Sequence, residues 1–194
     1  MEIALTFDDG PHPYLTPEIL EILKEYNVSA TFFIVGQNVS AYPDIAKMIV
    51  ENGHEIGNHT YTHGHIAKMN RNTLTNEVES CEREIYEVFG EYRTKLFRPP
   101  EGTVDGDVKA ISDEFGYSVI LWSIDTRDWA HTPVSDIAHN VLSNIQSGDI
   151  ILMHDYIGHN SPTPQALRII IPELLARGYK FVKISELISK DCDQ

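Results

Sequence analysis

Short apolar runs alternate with longer stretches of helical periodicity along the whole chain. The runs cover residues 3–7, 30–35, 55–57, 95–98, 118–124, 150–153 and 181–184. Between them, residues 17–26, 44–52, 74–89, 107–115, 134–145 and 163–177 space their apolar side chains three and four apart, as one helix face requires. Gly53, Gly90, Gly116 and Gly178 each follow a helical stretch, where a left-handed residue ends the last turn. Thr16-Pro17 reads as an N-cap followed by proline in the first helical position. Such alternation predicts an α/β protein with a parallel sheet and helices outside it. No linker, low-complexity segment or repeat interrupts the pattern, so residues 1–194 are expected to form one domain.

The polar residues that break this pattern fall in one kind of place. Asp8 and Asp9 follow the first run, His59 the third, Asp125 the fifth and His154 the sixth, while Arg98 closes the fourth. All lie at the carboxyl ends of strands. In a (β/α) barrel those ends share one face, and active sites are built on it. Seven runs rather than eight predict a distorted or incomplete (β/α) barrel, about seven parallel strands with outer helices.

A hard carboxylate oxygen with two imidazoles, supplied by Asp8-Asp9 and by His59 and His63, is a divalent-metal ligand set with coordination positions left open. The second carboxylate does not easily share the same ion and is free to act as a base on water. Metal-assisted hydrolysis is the expected chemistry. Plainer readings exist for each part: Asp8-Asp9-Gly10-Pro11 suits an ordinary strand exit, and His59 and His63 suit a solvated first helical turn. Their placement on one face favours a site. His65 is a rival ligand by its closeness to His63, although the i, i+4 spacing favours His59 with His63.

Composition narrows the partners. A net charge of −14 argues against nucleic acid, whose phosphates need a basic surface. No apolar stretch approaches the roughly 20 residues of a membrane span, and no basic segment leads into an apolar one. The expectation is a cytosolic protein or one whose leader or anchor lies outside this sequence. Cys81 and Cys192 are far apart, outside any C-x-x-C spacing, and are expected to be unpaired thiols of minor structural weight.

Five segments, in order, carry a family resemblance: Thr6-Phe7-Asp8-Asp9-Gly10-Pro11, His59-Thr60-Tyr61-Thr62-His63, Arg98-Pro99-Pro100-Glu101-Gly102, Asp125-Thr126-Arg127-Asp128-Trp129 and Ile151-Leu152-Met153-His154-Asp155. They resemble the motifs of the polysaccharide deacetylases, the NodB-homology group or carbohydrate esterase family 4. The resemblance implies that Asp9, His59 and His63 bind one divalent metal ion, zinc in the first place and cobalt as the alternative. Asp8 is then the base, with Arg98 holding it ionised and oriented. His154 is the acid, paired with Asp128. Trp129 and Leu152 wall a small apolar pocket for the acetyl methyl. Pro100, Glu101 and Gly102 border the sugar, with a main-chain N–H there for the oxyanion. Glu101 stands where the family usually carries an aromatic residue, which puts a negative charge in place of a stacking ring.

The implied reaction removes N-acetyl groups from an N-acetylglucosamine-containing polysaccharide, peptidoglycan first and chitooligosaccharide next. The rival readings are an acetylxylan O-acetyl esterase on the same site and an inactive carbohydrate-binding module. A monomer is expected. Its place is outside the cell or in the cell envelope by the same resemblance, with a cytoplasmic role on soluble oligosaccharides left open. Asp125 is expected to accept a supporting hydrogen bond, and His12 to line the mouth at most. His54, His131, His139 and His159 are expected to be solvated or structural. Loop 156–164 suits either a substrate rim or a solvated loop.

Overall fold

A computed structural model describes residues 1–92, 94–156 and 160–189. Cys192 and His159 therefore lie outside the described residues, as does part of loop 156–164. The elements alternate as the pattern requires: β1 (Glu2–Asp8), α1 (Leu15–Glu25), β2 (Thr31–Ile34), α2 (Gly36–Ala41), α3 (Pro43–Glu51), β3 (Glu55–Asn58), α4 (Arg71–Phe89), β4 (Leu96–Phe97), α5 (Gly106–Phe115), β5 (Ser118–Val119), β6 (Ile124–Asp125), α6 (Val134–Asn144), β7 (Ile150–His154), α7 (Thr163–Ala176), β8 (Lys180–Phe181) and α8 (Ile184–Ser189). Every strand pairing is parallel. Seven strands follow the order β5-β4-β3-β2-β1-β7-β6, and β8 pairs with the first residues of β1 outside that path.

The apolar run 118–124 is not one strand. Its two ends are β5 and β6, which form the opposite edges of the sheet. Laid flat, seven strands would hold those edges about 29 Å apart, six spacings of about 4.8 Å. The four residues between Val119 and Ile124 reach only about 18 Å. The sheet must curl, and it forms an incomplete (β/α) barrel with the helices outside. The seam is bridged by a side chain: Arg98 Nε and Nη2 donate to the carbonyls of Ile120 and Leu121, at 3.1 Å each.

The pleat of β1 sorts its residues between two sides. Ile3, Leu5 and Phe7 belong to the main core under the helices, with Phe7 stacked on Phe32 at 4.9 Å. Ala4 faces the other side, where Phe33, Leu96, Ile120, Val182, Ile184 and Leu187 fill the amino-terminal end of the half-barrel. Thr6 and Asp8 follow Ala4 on that side, one and two pleats higher. Polarity along this row rises toward the carboxyl ends of the strands, so the interior turns from packing into chemistry over five residues.

Other departures from the sequence reading have local causes. Thr16 does not cap α1: its hydroxyl donates to Asp155 at 2.6 Å and accepts from the His12 N–H at 2.7 Å, and the helix begins at Leu15, two residues earlier than expected. The run 181–184 ends as a strand at Phe181, and Ile184 opens α8 instead. Gly53, Gly90, Gly116 and Gly178 all have positive φ, as their places after helices require. Among the described residues, no helix is long and apolar enough to cross a membrane. Cys81 is free and buried in α4, where burial pushes its thiol pKa up and keeps it protonated.

Candidate active site

Asp8, Asp9, His59, His63, Glu101, Trp122, Asp125, Trp129, Leu152 and His154 line one cleft of about 420 Å3 at the carboxyl ends of the strands. Backbone strain concentrates around it. Asp9, Thr60, His63, Glu101 and Arg127 all have φ between 55° and 79°, a region that side chains other than glycine occupy at a cost of about 1–3 kcal/mol each. The surrounding structure holds them there and thereby aims side chains that an extended exit would scatter.

His59 and His63 converge by a tight loop, not by a helical turn, because Thr60 and His63 are both left-handed. Their Nε2 atoms lie 3.3 and 3.2 Å from Asp9 Oδ1. Asp9 Oδ1 is buried and receives no hydrogen bond among the described residues. The Nδ1 of His59 is 2.6 Å from the Arg98 carbonyl. A carbonyl only accepts, so Nδ1 carries a proton, and in the neutral ring the Nε2 lone pair faces Asp9. Burial lowers the pKa of His63, which favours the neutral, ligating form. Burial works against charge on His59 as well, but Asp8 and Asp9 raise its pKa overall. Burial likewise opposes charge on Asp9, and the two imidazoles outweigh it and lower its pKa. Lone pairs gathered around a spot that favours positive charge fit a metal ion, and the three donor atoms lie within 4.8 Å of one another. His65 stands apart from this set, its Nδ1 2.8 Å from the Glu101 carboxylate.

Asp8 is wired separately. Arg98 is fully buried, and its Nη1 donates to Asp8 Oδ1 at 2.7 Å and to Thr6 Oγ1 at 2.8 Å. The guanidinium lies 4.0 Å from the centre of the Phe33 ring, with Trp122 on the same group at 5.6 Å. Nε and one Nη2 hydrogen meet the seam carbonyls, so four of its five donors are used and the buried charge is paired with Asp8.

On the neighbouring strand β7, His154 Nδ1 is 2.7 Å from Asp128 Oδ1. Asp128 is fully buried and also accepts from the His154 N–H, the Trp129 N–H and the Thr163 hydroxyl. Burial opposes charge on His154, but the Asp128 hydrogen bond and charge, with help from Asp8 and Asp9, raise its pKa to about 9. Asp128 holds Nδ1, which leaves Nε2 as the ring's other donor.

The chain matches the polysaccharide deacetylase family model over residues 1–120. The chain belongs to that family. A peptidoglycan-N-acetylglucosamine deacetylase of Bacillus cereus is 42% identical over 191 residues, covering 96% of this chain and 87% of its own. A chitooligosaccharide deacetylase of Bradyrhizobium is 34% identical, covering 95% and 90%. Among solved structures, a family 4 acetyl xylan esterase from Clostridium thermocellum with a cobalt ion superposes with a TM-score of 0.91 at 36% identity, covering 97% and 91%.

Three features of this polysaccharide deacetylase were given no role in the sequence reading, although Asp155 closes the fifth motif. Trp122 lines the cleft, hidden beforehand inside an apolar run that read as one strand. Asp155 is fully buried and accepts from the Gly10 N–H at 3.0 Å and from Thr16. Burial raises its carboxyl pKa to about 7. Any Cβ at Gly10 would clash with it. Glu77, whose carboxylate accepts from the Tyr61 and Thr62 N–H groups, carried no motif signal at all.

Some expected sugar contacts move. Pro100 is buried and Gly102 packs on Trp122, where an added Cβ would lie 2.8 Å from Cη2; of that turn, Glu101 reaches the cleft. Trp129 is half exposed and Leu152 buried, and both line it. Asp125 accepts from the Arg127 N–H at 2.8 Å and faces the cleft. His12 is engaged at the start of α1, its Nδ1 accepting from the Leu15 N–H at 3.0 Å. His54 accepts from the Ala30 N–H and is buried.

Proposed function

We propose that this chain is a metal-dependent hydrolase that removes N-acetyl groups from N-acetylglucosamine-containing polysaccharide, peptidoglycan first and chitooligosaccharide next. One observation carries the reading. Asp8, held by Arg98, and His154, held by Asp128, line the same cleft as the Asp9, His59 and His63 set.

Asp9, His59 and His63 would hold a divalent ion, with zinc the first choice and cobalt the alternative. A divalent cation supplies a Lewis acid that polarises a carbonyl and acidifies water. Asp8 takes a proton from the attacking water, its carboxylate aimed by Arg98. The Glu101 N–H, beside proline residues that have none, is the main-chain donor offered to the developing oxyanion. An amine leaves poorly unless protonated, and His154 Nε2 delivers that proton while Asp128 balances the imidazolium. Trp122, Trp129 and Leu152 enclose the acetyl methyl, which excludes bulkier acyl groups. The products are acetate and a free amine.

The Bacillus cereus relative supports peptidoglycan, and on that reading we propose that the work is done in the cell envelope or outside the cell. The likeness to an acetyl xylan esterase supports O-deacetylation as the second reading. Acetate release from N-acetylglucosamine oligomers, peptidoglycan and acetylated xylan separates them, measured after chelation and after return of zinc or cobalt. Metal-restored release from the amides is expected. Release from xylan alone moves the assignment to an esterase.

A further inference from the structure

The two histidines stand on a five-residue loop whose shape local preference does not supply, since Thr60 and His63 are both left-handed. Its backbone groups are caught one by one. Asn58 Oδ1 accepts from the Thr60 N–H at 2.9 Å. The carbonyls of Thr60 and Tyr61 accept from the N–H groups of Gly36 and Gln37 at 2.9 and 3.0 Å. Gly36 is squeezed here, where an added Cβ would lie 2.7 Å from the Tyr61 ring and 2.9 Å from Cys81 Cα. The N–H groups of Tyr61 and Thr62 go to one side chain. Glu77 Oε2 accepts from the N–H groups of Tyr61 and Thr62 at 3.1 and 2.7 Å, and Oε1 accepts from the Thr62 hydroxyl at 2.9 Å.

Glu77 is on α4, whose Leu74, Val78, Cys81 and Ile85 are buried. It is thus fixed by a packed helix while it grips a loop immediately before His63. His59 has its own anchor in the Arg98 carbonyl. His63 is the more exposed of the two, at 36% against 2%, and its position depends on the loop.

We propose that Glu77 is a positioning residue for the metal site, acting through residues 61–62 to hold His63 where its Nε2 meets Asp9. This rests on the reading of Asp9, His59 and His63 as metal ligands. A carboxylate is suited to the task because it only accepts, and all three partners donate. Without it, the loop relaxes toward ordinary φ values and His63 swings away from the shared point. Thr62 is exposed, so water replaces the lost bonds cheaply. Folding should hardly notice, and metal affinity should.

The test is the affinity of the whole chain for zinc and for cobalt, by competition with a chromophoric chelator, with thermal unfolding of the metal-free protein alongside. Glu77→Ala is expected to weaken binding about ten- to a hundred-fold, the range for residues that orient a ligand. Glu77→Gln, which keeps one accepting oxygen, should fall between. Thr62→Val removes a single bond and gives a smaller loss, and it serves should Glu77→Ala fail to fold. The metal-free unfolding temperatures should stay close to that of the parent. In a His63→Ala background the Glu77 effect should vanish, because nothing is left for it to position. Unchanged affinity in all three variants overturns the proposal, and so does a Glu77 effect that persists without His63. A parent protein that binds neither ion overturns the metal reading and this one with it.

Discussion

Asp8 and His154 are register partners on neighbouring parallel strands, β1 and β7. Each closes its strand, and each is held by a buried partner of opposite charge, Arg98 or Asp128. The pairing places a proton acceptor and a proton donor a fixed strand spacing apart, set by backbone hydrogen bonds rather than by loops.

Asp8→Asn keeps the shape and the Asp9, His59 and His63 set but removes the basic oxygen. Zinc should bind as before while turnover drops about 10²–10⁴-fold, the usual worth of a positioned base. Metal content and kcat measured on one preparation decide it. Undiminished turnover removes Asp8 from the role.

His154 must be protonated to act, so kcat/KM should fall as pH rises through the upper limb. Without a bound ion His154 has a pKa of about 9, and a cation beside Asp9 puts the limb of the loaded enzyme below that. Asp128→Asn removes the partner that raises the pKa, so the limb should move down. The same raised pKa makes the His154–Asp128 pair stabilising below about pH 6.5, the unfolded histidine value, and its contribution is lost as pH rises through about 9. A pH–rate profile whose limb ignores Asp128→Asn contradicts the assignment.

His154→Ala should also separate the two substrate readings. An ester carries a better leaving group and depends less on an acid. Loss of amide hydrolysis should therefore exceed loss of ester hydrolysis on matched acetylated sugars; equal losses would undermine the acid role.

Arg98→Met leaves Asp8 buried without its counter-ion and opens the seam carbonyls. Breaking a buried pair costs about 3–5 kcal/mol, so the denaturation midpoint in urea should fall sharply. A midpoint within experimental scatter of the parent would mean that the seam is held by other contacts.

The strand–helix order was readable because β1, β2, β3 and β7 are buried runs bounded by polar loops. Asp8, Asp9, His59 and His154, which meet in the cleft, were readable because each ends a strand or opens the loop after it. What escaped depends on distant partners. Nothing local in 118–124 announces that its halves belong to opposite sheet edges; only the curl decides that. Thr16 has the chemistry of a cap, but Asp155, 139 positions away, takes its hydroxyl. Glu77 sits among other acidic residues of an amphipathic helix, and only the folded loop singles it out.

Thr6 donates to the Ile151 carbonyl, and Gly10 to Asp155, each across 145 positions of sequence. The proposed base is therefore carried by β1 and the proposed acid by β7, far later in sequence. Pairings of such long range close late in folding. During synthesis the chain carries a half-site until β7 docks beside β1, and then both halves meet at once. A chain cut before that strand is expected to be inert, not weakly active. Damage to the docking of β7 on β1 should thus register as fewer working molecules rather than as slower ones.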